Sequence, residues 1–131
     1  MSYYSGIDNI RGRTIHAVYI SDDKVYLTLE LDDGYAHFWV DGDCCSNTWI
    51  ESVQLPALGM GGIIAEIIEH PTFEDAASTE DDCVQVYQTI LVTTMGEMMV
   101  EYRNASNGYY GGSIHPIEKI PVGTNMRKVS P

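Results

Sequence analysis

Apolar and polar residues alternate with a period of two along most of the chain. The alternation is found in residues 14–20, 25–31, 35–40, 84–94 and 97–103. In residues 25–31 it is strict, because four aliphatic side chains occupy every second position. Such alternation predicts β-strands that bury one face.

The turn signals between these segments predict an antiparallel meander. Asp33-Gly34 separates two alternating segments, which is a strong hairpin signal. The sequence IIAEIIE at 63–69 suits a strand or a short helix, and its β-branched residues favour a strand. We therefore predict a mainly β (α+β) fold in a single domain, residues 1–131.

One short helix is predicted after the DCC sequence at 43–45. Thr48-x-x-Glu51 has capping-box spacing, and Trp49, Ile50 and Val53 would share one buried helical face. Pro56 would end this helix.

Two further segments are predicted to lie outside the regular core. Residues 70–83 contain a proline and five carboxylates, and we interpret them as a solvated loop. Residues 113–131 are extended and punctuated by proline, which predicts a C-terminal arm or an edge strand.

The charge balance excludes several classes of partner. The 131 residues carry a formal net charge of −12, with only seven basic residues spread from Arg11 to Lys128. Duplex nucleic acid and anionic membranes are bound chiefly through Lys and Arg, so we expect neither as a partner. No apolar run approaches the roughly 20 residues of a membrane span, and we find no secretory signal. The three cysteines suit a reducing compartment better than a disulfide framework.

The titratable residues predict no metal, cofactor or catalytic centre. Cys44 and Cys45 are adjacent and the four histidines show no ligand spacing, so a metal site is disfavoured. No P-loop, GxSxG, HExxH or GxGxxG motif occurs. A cysteine nucleophile paired with His37 or His115 stays an alternative, although free cysteines are more often small buried hydrophobes.

The sequence RNASNGYYGG at 103–112 has the composition of a recognition loop. It combines glycines for close backbone approach, asparagines with donors and acceptors, flat tyrosine rings and one arginine. This combination indicates binding of a small planar polar molecule, anions included, although a glycine-rich hairpin end with packed tyrosines fits equally well. Arg103 needs a neutralising partner, which is Glu101, a nearby aspartate or a ligand anion. Asp43 either caps backbone amides or binds a ligand hydroxyl.

Two motifs carry a resemblance to a known family. GDCCSNTWIESV at 42–53, followed by LGMGGIIAEIIE and RNASNGYYGG, resembles small phage-borne proteins of largely unknown role over residues 12–112. The arrangement is also similar to the first-described phage Thoeris anti-defence sponges. Those proteins bind cyclic ADP-ribose signals made by bacterial TIR enzymes without cleaving them, and some members take cyclic di- or trinucleotides.

The resemblance implies a non-enzymatic homo-oligomer, either a dimer or an assembly of dimers, acting in the host cytoplasm on a cyclic nucleotide. The implied ligand-binding residues are Asp43, Arg103, Asn104, Ser106, Asn107, Gly108, Tyr109, Tyr110 and Arg127. Here Tyr109 or Tyr110 would stack on an adenine, and Arg127 would close the pocket from a neighbouring subunit. The chain departs from this expectation in having few cations for a pyrophosphate ligand.

Two other functions stay open at this stage. One is a phage accessory module that binds a host defence complex through its acidic surface. The other is a hydrolase of a cyclic phosphodiester that uses His37 or His115 with Asp43.

Overall fold

The computed structural model describes residues 7–42, 46–75, 78, 83–106 and 111–130. A 3₁₀ helix, Ile7–Ile10, precedes nine strands. The strands are β1 Ile15–Ser21, β2 Tyr26–Leu31, β3 Gly34–Gly42, β4 Asn47–Gln54, β5 Ile64–Glu74, β6 Cys83–Thr93, β7 Gly96–Ser106, β8 Gly112–Ile117 and β9 Met126–Lys128. All strand pairs are antiparallel, which confirms the prediction of a mainly β fold.

The first sheet contains the predicted meander. Its five strands are ordered β8-β3-β2-β1-β9, so β1, β2 and β3 are neighbours in chain order. Both edges of this sheet come from the C-terminal segment, because β8 pairs with β3 and β9 pairs with β1. The predicted edge-strand character of that segment is confirmed.

The second sheet has four strands in the order β4-β7-β6-β5 and shares one core with the first. Leu27 and Leu29 of the first sheet belong to the same buried cluster as Leu91, Met98 and Val100 of the second. The alternation read from the sequence places these side chains on the inner faces. Within the described ranges, no helix is long and apolar enough to cross a membrane.

The predicted helix after the DCC sequence is wrong, because residues 47–54 form strand β4. The register of β4 against β7 shifts between Ile50 and Ser52, so Glu51 is an extra residue in this strand. This bulge brings Ile50 and Val53, three positions apart, to the same inner face opposite Tyr102 and Val100. The three-residue spacing that suggested a helix therefore belongs to a bulged strand.

Two predicted loops begin later than expected. β5 continues through Pro71 to Glu74, with a register shift between His70 and Phe73, and an edge strand with a bulge tolerates proline. β7 continues to Ser106, four residues into the predicted recognition loop at 103–112. Pairing with β4 on one side and β6 on the other keeps this stretch extended.

Candidate functional site

The two sequence motifs meet at one end of the molecule. Gly42, which opens the GDCCS motif, ends β3 and pairs with Gly112, which closes the RNASNGYYGG motif. Ser46 and Asn104, one from each motif, are joined by a hydrogen bond of 3.1 Å. Segments some sixty positions apart in the sequence thus form one structural cluster.

Asn104 is the centre of this cluster. Its residue is completely buried, and its side-chain amide donates to Thr48 Oγ1 at 2.7 Å and to Ser46 Oγ at 3.1 Å. The amide therefore uses both of its N–H groups. Among the described residues, the buried carbonyl oxygen Oδ1 has no hydrogen-bond partner. An unsatisfied buried acceptor costs about 1–3 kcal/mol, so this atom needs a donor that the described part of the chain does not supply.

Glycine at 42 and 112 makes room for the asparagine. A Cβ at position 42 would lie within 2.5 Å of side-chain atoms of Asn104, Ser46 and Thr48. A Cβ at position 112 would lie 3.1 Å from Asn104 Cβ and from Thr48 Cγ2. Close packing around one polar side chain therefore strongly favours glycine at position 42 and, less strictly, at position 112.

Strand β6 packs beside Asn104 through its pairing with β7. Tyr87 accepts a hydrogen bond from the Gly112 backbone N–H at 2.9 Å and donates to Gln85 Oε1 at 2.9 Å. Gln85 is the register partner of Asn104, and the Tyr87 ring stacks on Tyr102 with centroids 4.9 Å apart. This network fixes the start of β8 against the second sheet.

Arg103 projects away from this cluster. It neighbours Asn104 on β7, so its side chain points to the opposite, outer face of the sheet. Its guanidinium pairs with Asp75 at 2.8 Å and Glu101 at 3.0 Å, and lies 3.8 Å from Glu51. Burial lowers the pKa of Arg103, but the hydrogen bond and charge of Glu101, with the charges of Glu51 and Asp75, raise it by more. The sequence left a carboxylate or a ligand anion as the partner of Arg103. In the structure, carboxylates surround it.

The other predicted site residues divide into three groups. Ser106 lies in β7 two positions after Asn104 and is buried on the same face. Arg127 lies in β9, at the opposite edge of the first sheet from β8, and pairs with Asp22 at 2.6 Å. The predictions for Asp43, Asn107, Gly108, Tyr109 and Tyr110 lie outside the described residues.

Three residues that the sequence did not single out as ligand contacts belong to the cluster. Thr48 follows the GDCCS motif by two positions, and this proximity is the signal that points to it. Gln85 and Tyr87 reach Asn104 and Gly112 only through the pairing of β6 with β7, which leaves no local trace in the sequence. In the part of the chain that the structure describes, no group of three His, Cys, Asp or Glu side chains is arranged to hold a metal ion.

Comparison with known proteins identifies the family. The model of a domain of unknown function, DUF7448, matches residues 8–115. The chain belongs to the DUF7448 family. The matched part of this DUF7448 chain contains both motifs and the whole cluster around Asn104. No curated protein and no solved structure matches the DUF7448 chain significantly.

Proposed function

We propose that this DUF7448 protein binds and sequesters a cyclic nucleotide immune signal, as a phage anti-defence sponge that does not cleave its ligand. The proposed ligand class is a cyclic ADP-ribose isomer or a cyclic di- or trinucleotide. The observation that carries the proposal is the convergence of both motifs on Asn104, a buried side chain whose Oδ1 has no partner in the described part of the chain. The sequence resemblance to the sponge proteins supplies the ligand class.

The neutral polar groups around Asn104 suit a nucleobase or a ribose. Asn104 is fully buried among the described residues, so a ligand must first gain access to it; Oδ1 would then accept a hydrogen bond from a base amino group or a ribose hydroxyl. The hydroxyl of Thr48 and the amide of Gln85 lie on the same inner face and add polar contacts. A hydrogen bond from a ligand to an acceptor that is shielded from water and held in place is stronger than one to an exposed acceptor.

The phosphates of the proposed ligand need cations to neutralise them. Within one chain, the described residues of this cluster include no cation directed at Asn104. Arg103 faces away and is enclosed by carboxylates, so we assign it a structural role. Arg127 lies four strands away from β8, roughly 19 Å across the sheet at the usual strand spacing. In the proposed homo-oligomer, a dimer or an assembly of dimers, Arg127 of a neighbouring subunit supplies the cation. Glycine backbone amides of the second motif add to it.

Isothermal titration calorimetry against cyclic ADP-ribose isomers, cyclic dinucleotides and cyclic trinucleotides tests the proposal. We expect saturable heat with one member, and recovery of that ligand intact after the complex is heated. The Thr48→Val variant should bind it more weakly, because the loss of the threonine hydroxyl frees one amide N–H of Asn104 and disturbs the side chain. Arg103→Met is the matched control and should bind like the wild type. Absence of heat with every ligand contradicts the proposal, and recovery of a cleaved product contradicts sequestration.

A protein-binding role is the second candidate, and the outer face of the second sheet favours it. Ile68 and Phe73 of the edge strand β5 are 39% and 44% exposed. They lie among carboxylates of the same strand, so this face offers a partner protein both apolar contacts and negative charge. A pull-down from host lysate that recovers one stoichiometric protein, lost in Phe73→Ser and without a bound small molecule, would support this role over the sponge.

A further inference from the structure

A second cleft lies on the first sheet, between the 3₁₀ helix, the start of β3 and the end of β8. Its volume is about 270 Å³, near the lower end of the ~300–1,000 Å³ of small-molecule pockets. The floor is apolar, formed by Ile10, Ala36, Phe38 and Ile117. None of its lining residues belongs to the Asn104 cluster.

An aromatic ring lies at the edge of this cleft, on the opposite face of β3 from Ala36 and Phe38. Tyr35 is 62% exposed, and its ring stacks on His37 with a 9° angle between the planes. His37 is itself fixed by a 2.8 Å hydrogen bond between its Nδ1 and Thr28 Oγ1. The Tyr35 ring thus lies nearly parallel to the His37 ring, with 6.2 Å between the centroids, and offers an exposed flat face to a planar ligand.

The edge of β3 adds a hydrogen-bonding pair next to this ring. β8 ends at Ile117, opposite His37, so it does not cover residues 34–36 of β3. Leu31 and Gly34 flank a two-residue turn and form the hydrogen-bonded pair of the hairpin. Because hydrogen-bonded and non-hydrogen-bonded pairs alternate, the backbone N–H and C=O of Tyr35 point away from β2, toward the side that β8 leaves open. They offer one donor beside one acceptor, which matches the edge of an amide or a nucleobase.

The charges around the cleft disfavour an anionic ligand. The Arg13 guanidinium lines it but is paired with both Asp32 and Asp33. Glu118 adds a third carboxylate. One cation against three carboxylates leaves a net negative site, and like charges that approach it are repelled.

We propose that this cleft binds a neutral nucleobase or nucleoside, stacked on Tyr35 and hydrogen-bonded to the exposed edge of β3. The ligand ring continues the Tyr35–His37 stack, and its adjacent donor and acceptor pair with the Tyr35 backbone. A phosphate on the ligand weakens binding through the carboxylates of Asp32, Asp33 and Glu118. This site is independent of the proposed sponge function, since it takes a different charge class at a different place.

Titration of the ¹⁵N-labelled protein with adenosine, guanosine, uridine and their 5′-monophosphates, followed by NMR, tests this proposal. We expect at least one nucleoside to shift the amide resonances of Tyr35, Ala36 and Ile117 in a saturable way. Tyr35→Ala should weaken that binding about tenfold, because base–aromatic stacking is lost, whereas Tyr35→Phe should bind like the wild type. The matching monophosphate should bind several-fold more weakly than the nucleoside. Raising the salt concentration from ~0.05 M to ~0.5 M should reduce this difference in affinity, because salt screens the carboxylates.

The controls separate this site from the Asn104 cluster. Thr48→Val should leave nucleoside binding unchanged, and Tyr35→Ala should leave cyclic nucleotide binding unchanged. No saturable shift near Tyr35 with any nucleoside up to about 10 mM overturns the proposal. It is equally overturned by monophosphates that bind as tightly as the nucleosides, or by affinity that survives Tyr35→Ala.

Discussion

Gly42 and Asn104 are packed so closely that a Cβ at position 42 would displace the side chains around it. A Cβ there would fall within 2.5 Å of the Asn104 amide and of the two hydroxyls that accept its hydrogen bonds. The glycine of one motif is thus explained by the asparagine of the other. The relationship ties the two motifs to one buried polar side chain whose carbonyl oxygen has no partner among the described residues.

Gly42→Ala should destabilise the fold. The added methyl group displaces the Asn104 amide from Ser46 and Thr48, at a cost of about 1–3 kcal/mol in the free energy of unfolding. Chemical denaturation measures it. Gly112→Ala is the graded control, because its Cβ would lie 3.1 Å from its nearest neighbours and should cost less. Equal costs for the two variants would contradict the packing described around Asn104.

Thr48→Val should cost about 1–3 kcal/mol of stability, because it leaves one buried N–H of Asn104 without an acceptor. Thr72→Val, at an exposed position of β5, is the matched control and should change stability by less than about 0.5 kcal/mol. Urea unfolding of both variants at the same pH gives the comparison. Indistinguishable urea midpoints for the two variants would show that the hydrogen bond between Asn104 and Thr48 contributes nothing to stability.

Arg103→Met should destabilise the protein by about 1–2 kcal/mol at low salt, because it removes the cation shared by Glu101, Asp75 and Glu51. High salt should reduce the loss, since screening weakens both the ion pairs and the repulsion among the remaining carboxylates. Arg127→Met is the control, because that guanidinium is 80% exposed and should contribute less than about 0.5 kcal/mol. A salt-independent loss would mean that packing of the arginine stem, not its charge, is what matters.

His37 should make stability depend on pH below neutrality. Burial lowers the pKa of His37 in the folded protein below its ordinary value of 6.5. The unfolded chain then binds a proton more readily than the folded one, so this contribution is complete above pH 6.5 and is lost as the pH falls toward the folded pKa. Urea unfolding at several pH values should show a smaller loss below about pH 6.5 in His37→Gln than in the wild type. An identical pH dependence in both proteins would contradict the assignment.

Much of the fold follows from the sequence, and the failures have a common physical cause. The alternation in β1, β2, β3, β6 and β7 was sufficient, because a strand with one buried face carries its own periodic signal. In β4 the bulge at Glu51 replaced the period of two by a spacing of three. Local pattern then favoured a helix, while pairing with β7 determined the strand.

The residues of the candidate site were predicted less completely than the fold. The composition of the second motif pointed to Asn104 and Ser106, which do lie together on the inner face of β7. It also pointed to Arg103, whose side chain is on the outer face because it alternates with Tyr102 and Asn104 along β7. Gln85 and Tyr87 join the cluster through the pairing of β6 with β7. Local sequence patterns do not show which strands will pair.

The most direct test of the central claim follows the side-chain amide of Asn104 by ¹H–¹⁵N NMR while cyclic nucleotides are added. The sponge account predicts that one cyclic ADP-ribose isomer or cyclic oligonucleotide shifts both Asn104 Nδ2 proton resonances in a saturable way, as Oδ1 gains its donor. The same ligand should leave the Arg103 side-chain resonances unchanged. If every ligand that binds leaves the Asn104 amide unperturbed, or if none binds at all, the assignment of the site to this asparagine is contradicted.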